Sequence, residues 1–247
     1  MPRLIRPRTR PALVAASMLL IGATACHRSR SVAMDDRGYA RDMSAILQSA
    51  WRPLFDGKTL DGWRGYKTQD PPSGWSVVDG TISKQRGARE IVTKDQFGDF
   101  ELELEWKIGE AGNSGIFYRA TEEYDHIYWS APEYQLLDNL KAEDNKTQFT
   151  RAGADYGLYA APDGHANPAG EWNKTRIVVR GNHVEHWLND FKLLEYEIGS
   201  PDWKAKVAAS KFGAWPNYGL AKRGYIGIQG DHPGLLSLRN IRIRELH

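Results

Sequence analysis

A single cysteine, Cys26, stands in a chain of 247 residues, so no intrachain disulfide can form and a packed core must carry the stability. Charge of one sign is also lacking. The formal net charge of +2 is too small to argue for nucleic acid or an acidic membrane surface. There is no Gly-rich phosphate loop, no GxSxG, no HExxH and no Cys/His pair at metal-ligand spacing, which leaves nucleotide, serine-hydrolase and zinc chemistry without a motif. The apolar run at residues 12–23 is too short to cross a bilayer comfortably.

Aromatics, by contrast, are abundant: nine Trp and eleven Tyr suit sugar stacking as well as an ordinary β core, and 41% hydrophobic content suffices to build that core. Arg3, Arg6, Arg8 and Arg10 precede the apolar run, and small residues follow it, which is the order of an export signal. Residues 23–26 (ATAC) resemble a bacterial lipobox, with Cys26 as the lipidated residue and Ala23 where Leu is more usual. We therefore read residues 1–25 as a lipoprotein-type signal peptide and residues 26–50 as a polar tether with a short helix over 40–50. Residues 51–247 form the remaining domain. The expected location is the cell envelope, periplasmic or at the outer membrane, with the membrane contacted through the lipid anchor.

From Trp51 onward, Asp-Gly turn signals recur between short alternating runs, at Asp56-Gly57, Asp61-Gly62 and Asp79-Gly80. That texture predicts an all-β domain of antiparallel strands. Residues 101–108 (ELELEWKI) alternate strictly, placing Leu102, Leu104, Trp106 and Ile108 in the core and Glu101, Glu103, Glu105 and Lys107 in water. Further strands are expected at 156–159, 175–180, 184–188, 193–198, 224–229 and 236–243, with Asn189-Asp190 as a tight turn. The one helix is expected over 202–212, capped by Asp202, with Trp203, Val207 and Lys211 on one stripe and Gly213 just after its end.

The stretch 113–138 organises the chain. If its two alternating runs are neighbouring strands, Asn113 and Arg119 share a face with Glu133 and Gln135, bringing a guanidinium, a carboxylate and two amides together. Such planar hydrogen-bonding groups among aromatic rings suit a polyhydroxylated ligand. The competing reading is a set of cross-strand pairs on a solvated face.

FDGKTLDGW, GNSGIFYR, PEYQLLD, the EWNKTRIVV run, VEHWLND, ASKFGAWPNYG and GYIGIQGDH with LRNIRI are similar, in content and order, to the motifs of the 3-keto-disaccharide (3-keto-glycoside) hydrolase family. The resemblance covers about residues 51–246. It implies a concanavalin-like jelly-roll sandwich and cleavage of glycosidic bonds in sugars oxidised at carbon 3, with an upstream sugar 3-dehydrogenase supplying the ketone. QGDHPG carries one residue more than the QDHG frequent in the family, so either Asp231 or Gln229 holds the position beside His232.

Chemistry on such a substrate needs a base for the proton on carbon 2, a holder for the enolate oxygen and an acid for the leaving oxygen. Glu133 is the candidate base, and His232 and His186 are candidates for the acid or for metal ligands. Arg119, with Asn113 or Gln135, can hold the enolate or hydroxyls, and Asp138, Trp172, Gln229 and Asp231 complete the candidate substrate contacts. Asp138 has the alternative of capping a loop, and either histidine that of a structural hydrogen bonder. The holder of the enolate oxygen can be a donor or a metal: a divalent ion held by Glu, Asp and His would stabilise an enolate well, but no spacing selects its ligands. The rival from another class is a non-catalytic carbohydrate-binding sandwich. Replacing Cys26 by Ser is expected to release the protein from the membrane fraction, and unchanged retention on fractionation would point to another anchor.

Overall fold

The computed structural model describes residues 32–34, 40–42 and 50–246. The strands are β1 (Val32–Met34), β2 (Ala40–Asp42), β3 (Arg52–Pro53), β4 (Trp63–Gly65), β5 (Trp75–Val78), β6 (Thr81–Lys84), β7 (Ile91–Phe97) and β8 (Phe100–Ile108). They continue as β9 (Asn113–Ala120), β10 (Glu133–Leu137), β11 (Asn173–Arg180), β12 (His183–Leu188) and β13 (Phe191–Glu197), and after helix α1 (Pro201–Ala209) come β14 (Gly224–Ile228) and β15 (Leu236–Glu245). β1 and β2 pair with each other as a short antiparallel ladder. The helix expected over 40–50 is therefore not formed at its start, and the rest of that expectation lies outside the described residues, as do the signal peptide and Cys26.

Residues from Trp51 onward form the expected sandwich of two antiparallel sheets. The smaller has the order β10-β9-β14-β7-β4, and the larger the order β13-β12-β11-β8-β15-β6-β5, with β3 also paired to β15. Leu102, Leu104, Trp106, Ile226 and Ile228 are buried between them, as their alternation predicts. Each such side chain contributes about 1.5–3 kcal/mol by leaving water. Tight turns follow the sequence signals. Asp79 and Gly80 have φ of 48° and 71°, and Asn189 and Asp190 have 48° and 65°, the double left-handed turn that matches strand twist.

The outward face of β8 differs from expectation. Glu101, Glu103 and Glu105 sit directly opposite Arg244, Arg242 and Arg239 of β15, and each carboxylate is bound by its guanidinium. Arg176 of β11 also reaches Glu101, which is buried as a result. The acidic row is thus not free in water but tiled by arginines, because cross-strand register places opposite charges side by side.

Two other local expectations are corrected. α1 is capped by Ser200, whose hydroxyl accepts from the Trp203 amide with Pro201 in the first turn; Asp202 lies inside the helix. It ends at Ala209, so Lys211 and Gly213 belong to a separate 3₁₀ turn, Lys211–Ala214. Residues 156–159 form a turn, not a strand, closed by a bridge between Asp155 and Tyr159. The fully buried Trp106 donates from its indole nitrogen to the Thr175 hydroxyl at 2.9 Å. Trp106→Ala is expected to cost about 3–5 kcal/mol in urea unfolding, whereas Arg239→Ala, at a more exposed ion pair, is expected to cost under about 1 kcal/mol.

Candidate active site

β9 and β10 are neighbours, with Gly115 opposite Gln135 and Asn113 opposite Leu137. Their facing residues open a cavity of about 260 Å³ lined by Asn113, Glu133 and Gln135 from the strands. Gln229 joins from the end of β14, its backbone N–H donating to the Gly115 carbonyl at 2.9 Å, and Asp231 and His232 follow in the loop to β15. Tyr128, Asp144, Tyr156 and Lys211 close the other walls. A wider cavity of about 540 Å³ adjoins it, sharing Asn113, Asp144, Asp231 and His232.

Glu133 is only 5% exposed. A Cβ at Gly115 would lie 1.9 Å from its Oε1, so the glycine leaves the space that the carboxylate occupies. Burial raises the Glu133 pKa to about 8; Lys211 opposes the rise, and Asp231, Asp144 and Asp155 add to it. Lys211 is placed by the 3₁₀ turn after α1, with Nζ 4.4 Å from the centre of the Tyr156 ring. It escaped the sequence reading because the helical stripe assigned it to packing.

His232 donates from Nδ1 to Asp231 Oδ1 at 2.7 Å, and this bond holds Asp231 below the usual carboxylate range. Glu90, next to Asp231, is raised instead, chiefly by burial. Lys84 crosses from the larger sheet and donates to the carbonyls of Asn113 and His232, both at 3.0 Å. It is 1% exposed, and burial lowers its pKa to about 8. One ammonium thus ties the start of β9 to the loop that carries the histidine. A lone Lys in a strand gives no signal of this role, since only the sandwich brings those carbonyls to it.

Amides complete the lining. Gln135 donates to Asn113 Oδ1 at 3.0 Å, and Asn113 donates to Asp144 at 3.0 Å. The side-chain oxygens of Gln135 and Gln229 are buried with no protein partner, which leaves two acceptors for ligand hydroxyls.

Four expected residues lie elsewhere. Arg119 is bound to the Gly98 and Gly181 carbonyls and to Asp99. Its φ of +52° accompanies a bulge in which β9 takes three steps, Phe117 to Ala120, for two of β14, so the alternation that placed it beside Asn113 fails there. His186 is fully buried, donating from Nδ1 to the Gly153 carbonyl at 2.9 Å and accepting from the Tyr118 hydroxyl at Nε2. Burial lowers its pKa to about 4, so it is a neutral core residue that supports the segment leading to Tyr156. Asp138 accepts from the amides of Ala111 and Leu140, the loop-capping alternative. Trp172 is covered by Arg239 and Lys107 of the outer face of the larger sheet.

Among the described residues, the cluster of three metal-ligating side chains that does form, His183, Glu185 and Glu195, is on the β12–β13 hairpin and includes no residue of this lining. Among the described residues, no three of the cavity's carboxylates and imidazole come within ligand distance of one another.

Fold and cavity together define a class: an antiparallel β-sandwich whose smaller sheet carries a cleft lined by carboxyl, imidazole, ammonium and amide groups. Residues 50–244 match the family described as a 3-keto-α-glucoside-1,2-lyase-like domain. The chain is also 37% identical over 225 residues to the 3-keto-disaccharide hydrolase of Bacteroides thetaiotaomicron, spanning 78% of this chain and 77% of that protein. A crystal structure of a candidate glycosyl hydrolase from Parabacteroides distasonis aligns with a TM-score of 0.76 at 32% identity, covering 83% of this chain and 97% of that one. A second from the same organism gives 0.66 at 33% identity, over 80% and 100% of the two chains. The chain belongs to the 3-keto-α-glucoside-1,2-lyase-like family.

Glu133 and Asp155 both have pKa values raised to about 8 by burial, so each holds its proton in the folded state and loses it in the unfolded one between about pH 4.5 and 8. Folding stability is therefore expected to fall as pH rises through that window. His186, lowered to about 4, opposes this only below its ordinary 6.5, so the decline is cleanest from pH 6.5 to 8. Urea titrations across that range are expected to give a shallower decline for Glu133→Gln, by at most about 1.4 kcal/mol per pH unit. Parallel slopes would mean that Glu133 is ionised throughout.

Proposed function

We propose that the protein cleaves glycosidic bonds in 3-keto-sugars, by elimination followed by hydration. The observation that carries the reading is the buried carboxyl of Glu133, facing Lys211 and sharing one cleft with His232, in a chain of this family.

A ketone at carbon 3 acidifies the hydrogen on carbon 2. Glu133 takes that proton, and the electron pair left on carbon 2 delocalises onto the ketone oxygen as an enolate. Lys211 and the amide hydrogens of Asn113 and Gln229 are the donors available to that oxygen, a task which the distant Arg119 cannot perform. Collapse of the enolate forms the carbon 1–carbon 2 double bond and breaks the bond from carbon 1 to the bridging oxygen. His232, oriented by its hydrogen bond to Asp231, gives a proton to that oxygen. Water then adds its hydroxyl at carbon 1 and gives its other proton to the now neutral His232, while the proton on Glu133 returns to carbon 2, which restores both groups. A base with a pKa near 8 is matched to this abstraction, because it is strong enough to take the proton and is partly ionised at neutral pH.

The rival reading, a binding module without turnover, requires amides and rings but no buried carboxyl. The lipid-anchored envelope location belongs to the proposal too, since a sugar-cleaving protein exported beyond the inner membrane would meet oxidised glycosides there. Wild type is expected to release the aglycone from a 3-keto-glucoside and not from its unoxidised parent, and Glu133→Gln to be slower by two to four orders of magnitude, about the usual worth of a general base. Equal rates on the parent sugar would identify an ordinary glycosidase. Full activity of Glu133→Gln would remove Glu133 from its role, and binding of both sugars without turnover of either would favour the module.

A further inference from the structure

Asp231 and His232 stand on a loop with side chains 41% and 37% exposed, and their mutual hydrogen bond of 2.7 Å fixes each only relative to the other. An imidazole that must deliver a proton to one oxygen needs its carboxylate partner held from a second side as well.

That second side is β7. The pairing of β7 with β14 sets Val92 opposite Gly227 and Ile91 opposite Ile228. Carried one step further, the same register sets Glu90 beside Gln229 and Arg89 against Gly230, where a Cβ would lie 2.2 Å from the Arg89 carbonyl oxygen. The Trp75 indole donates to that oxygen at 2.6 Å, and the Glu90 carbonyl accepts from the Tyr66 amide at 3.1 Å, so the backbone around Glu90 is tied down. Gln229 is bonded in turn to Gly115, which faces Gln135. Glu90 therefore ends a row that crosses all the strands of the cleft floor, from Gln135 through Gly115 and Gln229.

The carboxyls of Glu90 and Asp231 are hydrogen-bonded to each other. Two carboxyls in contact repel when both are ionised, so the pair favours holding one proton. Shelter assigns that proton to Glu90, the more buried of the two, while the bond from His232 keeps Asp231 ionised; their pKa values are displaced in those opposite directions. Lys84, Arg89, Tyr66, Tyr128 and Glu133 are the other titratable groups near the pair. Among the described residues none of these five hydrogen-bonds to either carboxyl, which leaves Glu90 and His232 as the side-chain partners of Asp231.

We propose that Glu90 is a positioning residue for the acid: its protonated carboxyl donates to Asp231, Asp231 accepts from His232 Nδ1, and the imidazole is thereby oriented by a side chain that does not touch the substrate. The proposal rests on the reading of His232 as the group that protonates the bridging oxygen.

The test uses Glu90→Ala and Glu90→Gln in the full chain, on two 3-keto-glucosides that differ in leaving group. Methanol needs a proton from the acid to depart, whereas 4-nitrophenol departs readily without one. On the methyl glycoside Glu90→Ala is expected to lose about tenfold to a hundredfold in kcat with little change in KM, the usual effect of one hydrogen bond to a charged group. On the nitrophenyl glycoside its loss is expected to stay within about threefold. Glu90→Gln, whose amide can also donate to Asp231, is expected to recover most of the methyl glycoside rate. Equal losses of Glu90→Ala on both substrates, no loss on either, or a Gln variant as slow as the Ala variant would each overturn the proposal. A readout without turnover is the NMR signal of the His232 Nδ1 proton, assigned by its disappearance in His232→Gln. It is expected far downfield in wild type and Glu90→Gln, and to move or broaden in Glu90→Ala. That result supports the positioning role even if wild type cleaved neither substrate, an outcome that would sink the hydrolytic reading alone; an unchanged signal in Glu90→Ala overturns the role.

Discussion

The cleft depends on one close approach, that of the Glu133 carboxylate over the bare backbone of Gly115. Antiparallel pairing of β9 and β10 fixes the two residues near each other, and the missing Cβ lets the carboxyl lie down on the sheet instead of standing out into water. Burial then follows from geometry, and the raised pKa follows from burial. A side chain at position 115 would collide with the Glu133 carboxyl itself and so disturb all three at once.

The two sheets divide the labour around that contact. The larger sheet is made rigid by ion pairs in register along β8 and β15 and by guanidinium groups laid over Trp51, Trp172 and Trp187. Both sheets carry bulges, the larger at Arg239–Arg242 and His186–Trp187, but the smaller also has the left-handed Arg119 and strand ends that finish in the loops of the cleft. Lys84 links them, as a cation from the larger sheet that satisfies two carbonyls of the cleft rim. A buried ammonium is costly unless hydrogen-bonded, so its two carbonyl partners and nearby Asp231 explain how it is tolerated.

Much of this could be read from the residues because β alternation is a local property. Leu102, Leu104 and Trp106 needed only period two, and the Asn189-Asp190 turn only its own left-handed preference. The pairing of Asn113, Glu133 and Gln135 was legible for the same reason. Arg119 was not, since one extra residue in β9 reverses every side chain beyond it, and a bulge depends on the partner strand. His186 looked like a reactive histidine in a polar hairpin, but period two already placed it on the face of Val184 and Leu188, where the core lies. Lys84, Glu90 and Lys211 entered the site through tertiary packing alone, and no spacing within the sequence encodes that.

A sandwich of this kind can bind sugars with amides and rings held in water, and such a site gains nothing from a carboxyl whose ionisation burial opposes. Sheltering Glu133 costs folding free energy at neutral pH, because the unfolded chain would ionise it freely. Among the described residues it makes no ion pair that would offset that cost; Lys211 acts on it through space and leans over the Tyr156 ring. In the proposed reaction that cost is borne for proton abstraction at Glu133, in a cleft where the side-chain oxygens of Gln135 and Gln229 have no protein partner. The balance of burial against charge at one residue, more than the sandwich itself, is what separates a catalytic reading of this fold from a binding one.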